Sequence, residues 1–231
     1  MKPVNGVGSP VEFLAQTFAI LWKDIRCEIR SRQAWGGMAL FAVLVLVIFN
    51  FAFDLRPDDK VAIAPGALWI AFVFASILGL GRTFAVEQEQ GSMDRLLICP
   101  ADRKAIYFAK LLGNMLFIGV VEIIAVPLFA AAYDLPILNL RIVPIVVLGS
   151  LGVAAIGTLF SAAASNTRAR EVLLPLLVFP LIVPVVIGAV RATQNLVSPV
   201  GDGIAWLGLI AAFDVIFVSL SMILFPFVIE E

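Results

Sequence analysis

The chain has 231 residues, of which 61% are hydrophobic and 14% charged, with a formal net charge of −1 and no histidine. Soluble domains sit near about 45–50% apolar and about 25% charged, and a domain of this size keeps too much surface exposed to hide the excess. The composition therefore excludes secreted, nucleic-acid-binding and disordered proteins and describes an integral membrane protein. The missing histidine removes the commonest general base and the commonest metal or haem ligand.

In chain order, Pro3, Gly6, Gly8 and Pro10 read as a flexible leader. At 100° per residue, Val11, Leu14, Phe18, Leu21, Trp22, Ile25 and Ile29 then cluster on one helical face. Glu12, Gln16, Lys23, Arg26 and Arg30 gather on another, leaving a basic stripe. This pattern predicts a helix lying in the headgroup plane, its cations turned toward anionic lipid or a partner. A plain membrane elbow accounts for the same pattern. Residues 1–33 thus form a cytoplasmic leader and interfacial helix, and residues 34–231 a transmembrane domain.

Six stretches have the apolar length that a hydrocarbon core requires, at about 35–53, 63–81, 106–133, 142–164, 172–190 and 204–229. The expected class is an all-α polytopic bundle of six spans. With the N-terminus inside, only Arg56, Lys60, Arg141 and Arg191 of the 16 lysines and arginines fall outside. The bias of the rest predicts both termini in the cytoplasm. It also puts Cys27 and Cys99 in the reducing compartment, where free thiols are the default.

The stretch between the second and third spans is the most informative. It runs from Arg82 through Glu87, Glu89, Gly91, Ser92, Asp94, Leu96, Leu97 and Cys99 to Pro100, then Asp102, Arg103 and Lys104, with Lys110 following. Glu87 and Glu89 end a helix that Gly91 can break. Ser92 is a good N-cap, Asp94 suits the first turn, Leu96 and Leu97 give an apolar side, and Pro100 stops the helix. A short capped helix parallel to the membrane suits the transmission of force from a soluble partner. An ordinary re-entry turn is the alternative.

The pattern Glu-x-Glu-x-Gly-Ser-x-x-x-Leu-Leu-x-x-Pro, with a lysine ten residues on, resembles the coupling-loop signature of ABC-2-type exporter permeases. Lys23-Asp24 with Glu28 and Arg30, Ala64-Pro65-Gly66 with Trp69, and Pro180 with Pro184 resemble one branch more closely. That branch is the haem exporter B family, permeases of the bacterial cytochrome c maturation transporter. The resemblance covers nearly the whole chain. It implies an ABC-2-type exporter permease fold, a coupling loop at about 82–105 and a place in the bacterial inner membrane. It also implies a role in haem export for c-type cytochrome biogenesis.

The sequence has no Gly-x-x-x-x-Gly-Lys-Ser/Thr loop to cradle ATP phosphates, so the chain is expected to be a permease subunit rather than an enzyme. The resemblance then implies a separate ABC ATPase subunit that binds ATP, a second copy of this chain, a haem-handling membrane subunit and a haem chaperone. Haem is the implied cargo, its iron ligands supplied by those partners. Glu87, Glu89, Gly91, Ser92, Leu96, Leu97 and Pro100 are the implied coupling residues. An exporter of lipid, drug or polysaccharide is the alternative on the same fold. A scaffold that moves nothing, and whose partner's ATP hydrolysis releases a loaded chaperone, is another.

Two carboxyls, Glu122 and Asp214, fall deep in expected spans, with no basic residue inside a span to pair with them. A charge there costs about 2.5–3.5 kcal/mol on insertion scales, so each is expected to face protein or water. They either line a path or, protonated, hydrogen-bond a neighbouring helix. Pro180 and Pro184, with Pro175, are expected to bend the fifth span, which in the family picture borders a translocation path. Asn50 and Asn114 read as contacts between helices, and Ser150, Ala154, Thr158 and Ala162 as a small-residue packing face.

Overall fold

The computed structural model describes residues 10–31, 33–53, 57–89, 101–165, 170–198 and 202–230. Among these, seven helices follow one another with no strand between them. They are α1 (Pro10–Ser31), α2 (Gln33–Phe53), α3 (Pro57–Glu89), α4 (Arg103–Tyr133), α5 (Ile142–Ser165), α6 (Arg170–Val197) and α7 (Gly203–Glu230). Helices are the form this composition requires in lipid, because each satisfies its backbone donors and acceptors internally.

Five helices are long and apolar enough to cross a membrane, over Lys60–Gly81, Arg103–Tyr133, Ile142–Ser165, Val172–Val197 and Gly203–Val228. The remaining expected span is α2. Its apolar stretch, Gly36–Ala52, is shorter and stands at the lower limit of about 17 residues for a crossing.

Side chains fix several helix ends. Asp102 caps α4: in an extended conformation, its carboxylate accepts from the Lys104 N–H at 2.9 Å. At the other end Asp134 adopts a left-handed conformation, φ 54°, and its N–H closes onto the Ala130 carbonyl. Aspartate is one of the few side chains that tolerates this region. Asp202 caps α7, accepting from the Ile204 N–H at 3.2 Å. The capped start of α4 stands three residues before the expected start of the span, so Lys110 lies two turns inside the helix, where it is 2% exposed.

Among the described residues, several prolines lie within continuous helices. Pro65 lies within α3, Pro127 within α4, Pro226 within α7, and Pro175, Pro180 and Pro184 all within α6.

The bundle is organised about α5, which touches α3, α4, α6 and α7 and is the most enclosed of the five long spans. Ser150, Ala154, Thr158, Ser161 and Ala162 are all buried, as their spacing predicts. Its glycines accept the largest neighbours. A methyl group at Gly149 would stand 2.2 Å from Cη2 of Trp69, and one at Gly157 would stand 2.3 Å from Cδ1 of Leu80. Lipid tails are as apolar as leucine, so helices associate here through close packing and hydrogen bonds rather than a hydrophobic drive.

Candidate functional site

The buried polar side chains converge on α5 from three directions. Asn114 on α4 donates from Nδ2 to Thr158 Oγ1 at 2.8 Å, the contact between helices that its position predicts. Tyr107, also on α4, donates to the Ala155 carbonyl at 3.2 Å, and Ser221 of α7 donates to the same oxygen at 3.4 Å. Ser161 donates back to the Leu80 carbonyl of α3 at 2.5 Å. Around this hub, Trp69 Nε1 donates to Thr193 Oγ1 at 3.0 Å, joining α3 to α6, and Tyr133 donates to the Leu46 carbonyl at 3.1 Å, joining α4 to α2.

Both intramembrane carboxyls take part, on opposite sides of α5. Glu122 is buried on α4 and accepts a hydrogen bond from Ser150. Asp214 is buried on α7 at 3% exposure, and neither of its oxygens has a hydrogen-bond partner. A methyl group at Gly152 would stand 2.6 Å from Asp214 Oδ1 and 3.0 Å from Val185 Cγ1 of α6. Positions 150 and 152 lie about 200° apart around a helix and about 3 Å apart along it. The two carboxyls therefore grip α5 at one depth without meeting. Pro180 is exposed and Pro184 half-buried, so the α6 prolines face outward more than inward within this chain.

A consequence follows for Ser150. Ser150→Ala should cost about 1–3 kcal/mol, because it leaves a buried Glu122 oxygen without its donor. The double variant Ser150→Ala/Glu122→Leu should recover most of that loss. Unfolding of the detergent-solubilised variants, followed by near-ultraviolet circular dichroism, gives the comparison. Equal stability of Ser150→Ala and wild type would disprove the contact.

The expected coupling residues divide between described and undescribed segments. Glu87 and Glu89 belong to the last turn of α3. Gly91, Ser92, Leu96, Leu97 and Pro100 lie outside the described residues. The amphipathic helix is present as α1, and its apolar cluster is split between two sides. Leu21 is buried, whereas Val11, Leu14, Phe18, Trp22 and Ile29 remain exposed. Lys23 and Arg26 are exposed, and the Arg26 guanidinium lies 5.2 Å from the centre of the Trp22 ring. Arg30 lies in the last turns of the same helix.

One polar contact had no signal in the spacing. Lys110 Nζ lies 2.8 Å from Asp24 Oδ2, with Lys23 Nζ 3.0 Å from Asp24 Oδ1. A basic residue does therefore lie inside a spanning helix, but its partner is Asp24 of α1 rather than either deep carboxyl. The family resemblance singles out both Asp24 and Lys110, but nothing in the sequence pairs them.

The family model described as CcmB protein matches residues 15–230. Heme exporter protein B of Rhodobacter capsulatus is 33% identical over 173 residues, covering 73% of this chain and 78% of that protein. The Pseudomonas aeruginosa protein of the same name is 28% identical over 218 residues, 91% of this chain and 92% of its own length. The Bradyrhizobium diazoefficiens one is 30% identical over 191 residues, 80% and 84% of the two chains.

Proposed function

The chain belongs to the CcmB protein family, and from that premise we propose that it is the multi-pass permease subunit of an ABC transporter that exports or handles haem for c-type cytochrome biogenesis. The observation that carries this reading is the family match over residues 15–230, nearly the whole chain. The five long apolar helices with the shorter α2 supply a body fit for the membrane. The sequence offers no phosphate-binding loop, so ATP is hydrolysed by a separate subunit. The chain sits in the bacterial inner membrane with both termini in the cytoplasm, and α1 lies along the inner headgroups, Lys23, Arg26 and Arg30 toward anionic lipid.

In this mechanism nucleotide binding closes the ATPase pair and displaces residues 87–100 of each of two permease copies. The spans α2, α3 and α6 then tilt. A ligand shifts such an equilibrium only through its differential affinity for the two states, so the ATPase must contact residues 87–100 differently with and without nucleotide. Haem enters as cargo, delivered with a haem-handling membrane subunit and a chaperone that provide the iron ligands. The chain itself has no histidine to serve as one.

Purification of the chain in mild detergent from cells that make c-type cytochromes tests the reading. An ATPase and a haem-handling membrane protein should copurify, and deletion should abolish c-type cytochromes. Intact cytochromes after deletion, or ATPase stimulation by a lipid or polysaccharide instead, would replace haem as the cargo. Within the copurified complex, charge reversal at Glu87 and Glu89, or Gly91→Trp, should abolish stimulation of the ATPase while membrane insertion continues. Unchanged stimulation in reconstituted vesicles would remove residues 87–100 from the coupling path.

A further inference from the structure

Helix α1 is joined in sequence to α2 but packs along α4, and it only grazes α2. Several contacts fasten it to the first turns of α4. The Asp102 N–H, at the cap of α4, donates to Gln16 Oε1 at 3.0 Å. The rings of Phe13 and Phe108 meet edge-on with centres 6.2 Å apart. Leu21 Cδ1 would stand 3.6 Å from a methyl group at Gly113. At the centre of these contacts, Lys110 of α4, 2% exposed, holds Asp24 of α1 at 2.8 Å. An ammonium is strongly hydrated in water, and burial here is offset in part by a carboxylate belonging to another helix.

We propose that the Asp24–Lys110 pair is the joint that makes α1 and α4 move as one body, and that both residues are positioning residues for the nucleotide-driven motion. This rests on the reading of residues 87–100 as the contact with the ATPase. Residue 100 leads in two steps to Asp102, where the cap of α4 and the bond to Gln16 of α1 share one residue. Motion arriving at the start of α4 is therefore shared with α1. Among the described residues, α1 touches α2 far less than it touches α4. Without the ion pair, the aromatic and cap contacts remain, but the buried ammonium loses the carboxylate that sets its register against α1.

Cys27, exposed on α1 three residues beyond Asp24, supplies a reporter already in place. The experiment uses the full complex with its ATPase, reconstituted in vesicles containing anionic lipid, in a Cys99→Ser background. A charged maleimide labels Cys27 with and without a non-hydrolysable ATP analogue. In the parent the analogue should change the labelling rate, because a bound state of different shape exposes Cys27 differently. Asp24→Asn and Lys110→Met should each abolish that change while the ATPase still copurifies. The exchanged pair, Asp24→Lys with Lys110→Asp, should restore it.

A full nucleotide response in either single variant overturns the proposal, as does a failure of the exchanged pair to recover one. If the single variants do not assemble, Asp24→Glu and the exchanged pair decide by the same readout. A parent complex that assembles but shows no nucleotide response also overturns the joint, leaving the transporter reading standing. Absence of any copurifying ATPase defeats the transporter reading itself.

Discussion

Gly149→Ala is expected to lower the stability of the solubilised protein by about 3 kcal/mol, the upper part of the usual range for overpacking. The new methyl group would stand 2.2 Å from Cη2 and 2.5 Å from Cζ3 of Trp69. A flexible side chain could swing aside, but this ring is held on several sides. It is 1% exposed, it meets Phe72 edge-on with ring centres 5.5 Å apart, and its N–H is bonded to Thr193. Moving the ring breaks the tie between α3 and α6. Gly157→Ala faces the terminal methyls of Leu80 instead, which can change rotamer, so its cost should be about 1 kcal/mol. Thr193→Val leaves the ring in place but removes its acceptor, together with the hydroxyl's own bond to the Ala189 carbonyl, at about 1–3 kcal/mol. Gly149→Ala/Trp69→Phe should regain stability relative to Gly149→Ala. Thermal unfolding in one detergent compares the four. A Gly149→Ala protein as stable as the parent would mean that Trp69 does not occupy the surface of α5 at that point.

Asp214 should behave in the opposite sense. Its two oxygens are buried and have no hydrogen-bond partner. Removing an unsatisfied buried polar group commonly returns about 1–3 kcal/mol, and Asp214→Ala should therefore stabilise the solubilised protein by about 1 kcal/mol after the small loss of packing. Activity should fall in the same variant, because an ionisable group retained inside a membrane at a cost to stability marks function more often than structure. The paired measurements are unfolding in detergent and ATPase stimulation in the reconstituted complex. Loss of both stability and stimulation would make Asp214 a packing residue. Asp214→Leu offers a check on shape, since a larger side chain presses on Gly152 and Val185 and should be less stable than Asp214→Ala.

These contrasts show what a sequence discloses and what it withholds. The spans were legible because the requirement is one-dimensional: enough apolar residues in a row to cross hydrocarbon. The bounds of α5, expected at 142–164 and found at Ile142–Ser165, illustrate how directly that rule operates. The small-residue face of α5 was legible for the same kind of reason, a fixed spacing. Which neighbours fill it was not. Trp69, Leu80 and Asp214 reach α5 from different helices, and nothing local to any of them records the distance closed by folding. The amphipathic α1 was foreseen, but its apolar residues covered a wide arc. Only packing shows that Leu21 turns toward α4 while Phe18 and Trp22 remain outside. Lys110 fell inside the expected span at 106–133, yet nothing local to it or to Asp24 records that folding brings the two together. For Gly91, Ser92, Leu96, Leu97 and Pro100 the family signature remains the basis of assignment, since they lie outside the described residues.

The length of α3 has a mechanical consequence. Of its course from Pro57 to Glu89, the stretch Lys60–Gly81 has the apolar character of the bilayer interior. The continuation over residues 82–89 adds about 12 Å of unbroken helix at the standard rise. Glu87 and Glu89 therefore ride near the tip of a stiff crank whose other arm is embedded in lipid. A sideways push at the tip becomes torque on the buried arm, with no slack coil between them to absorb the stroke.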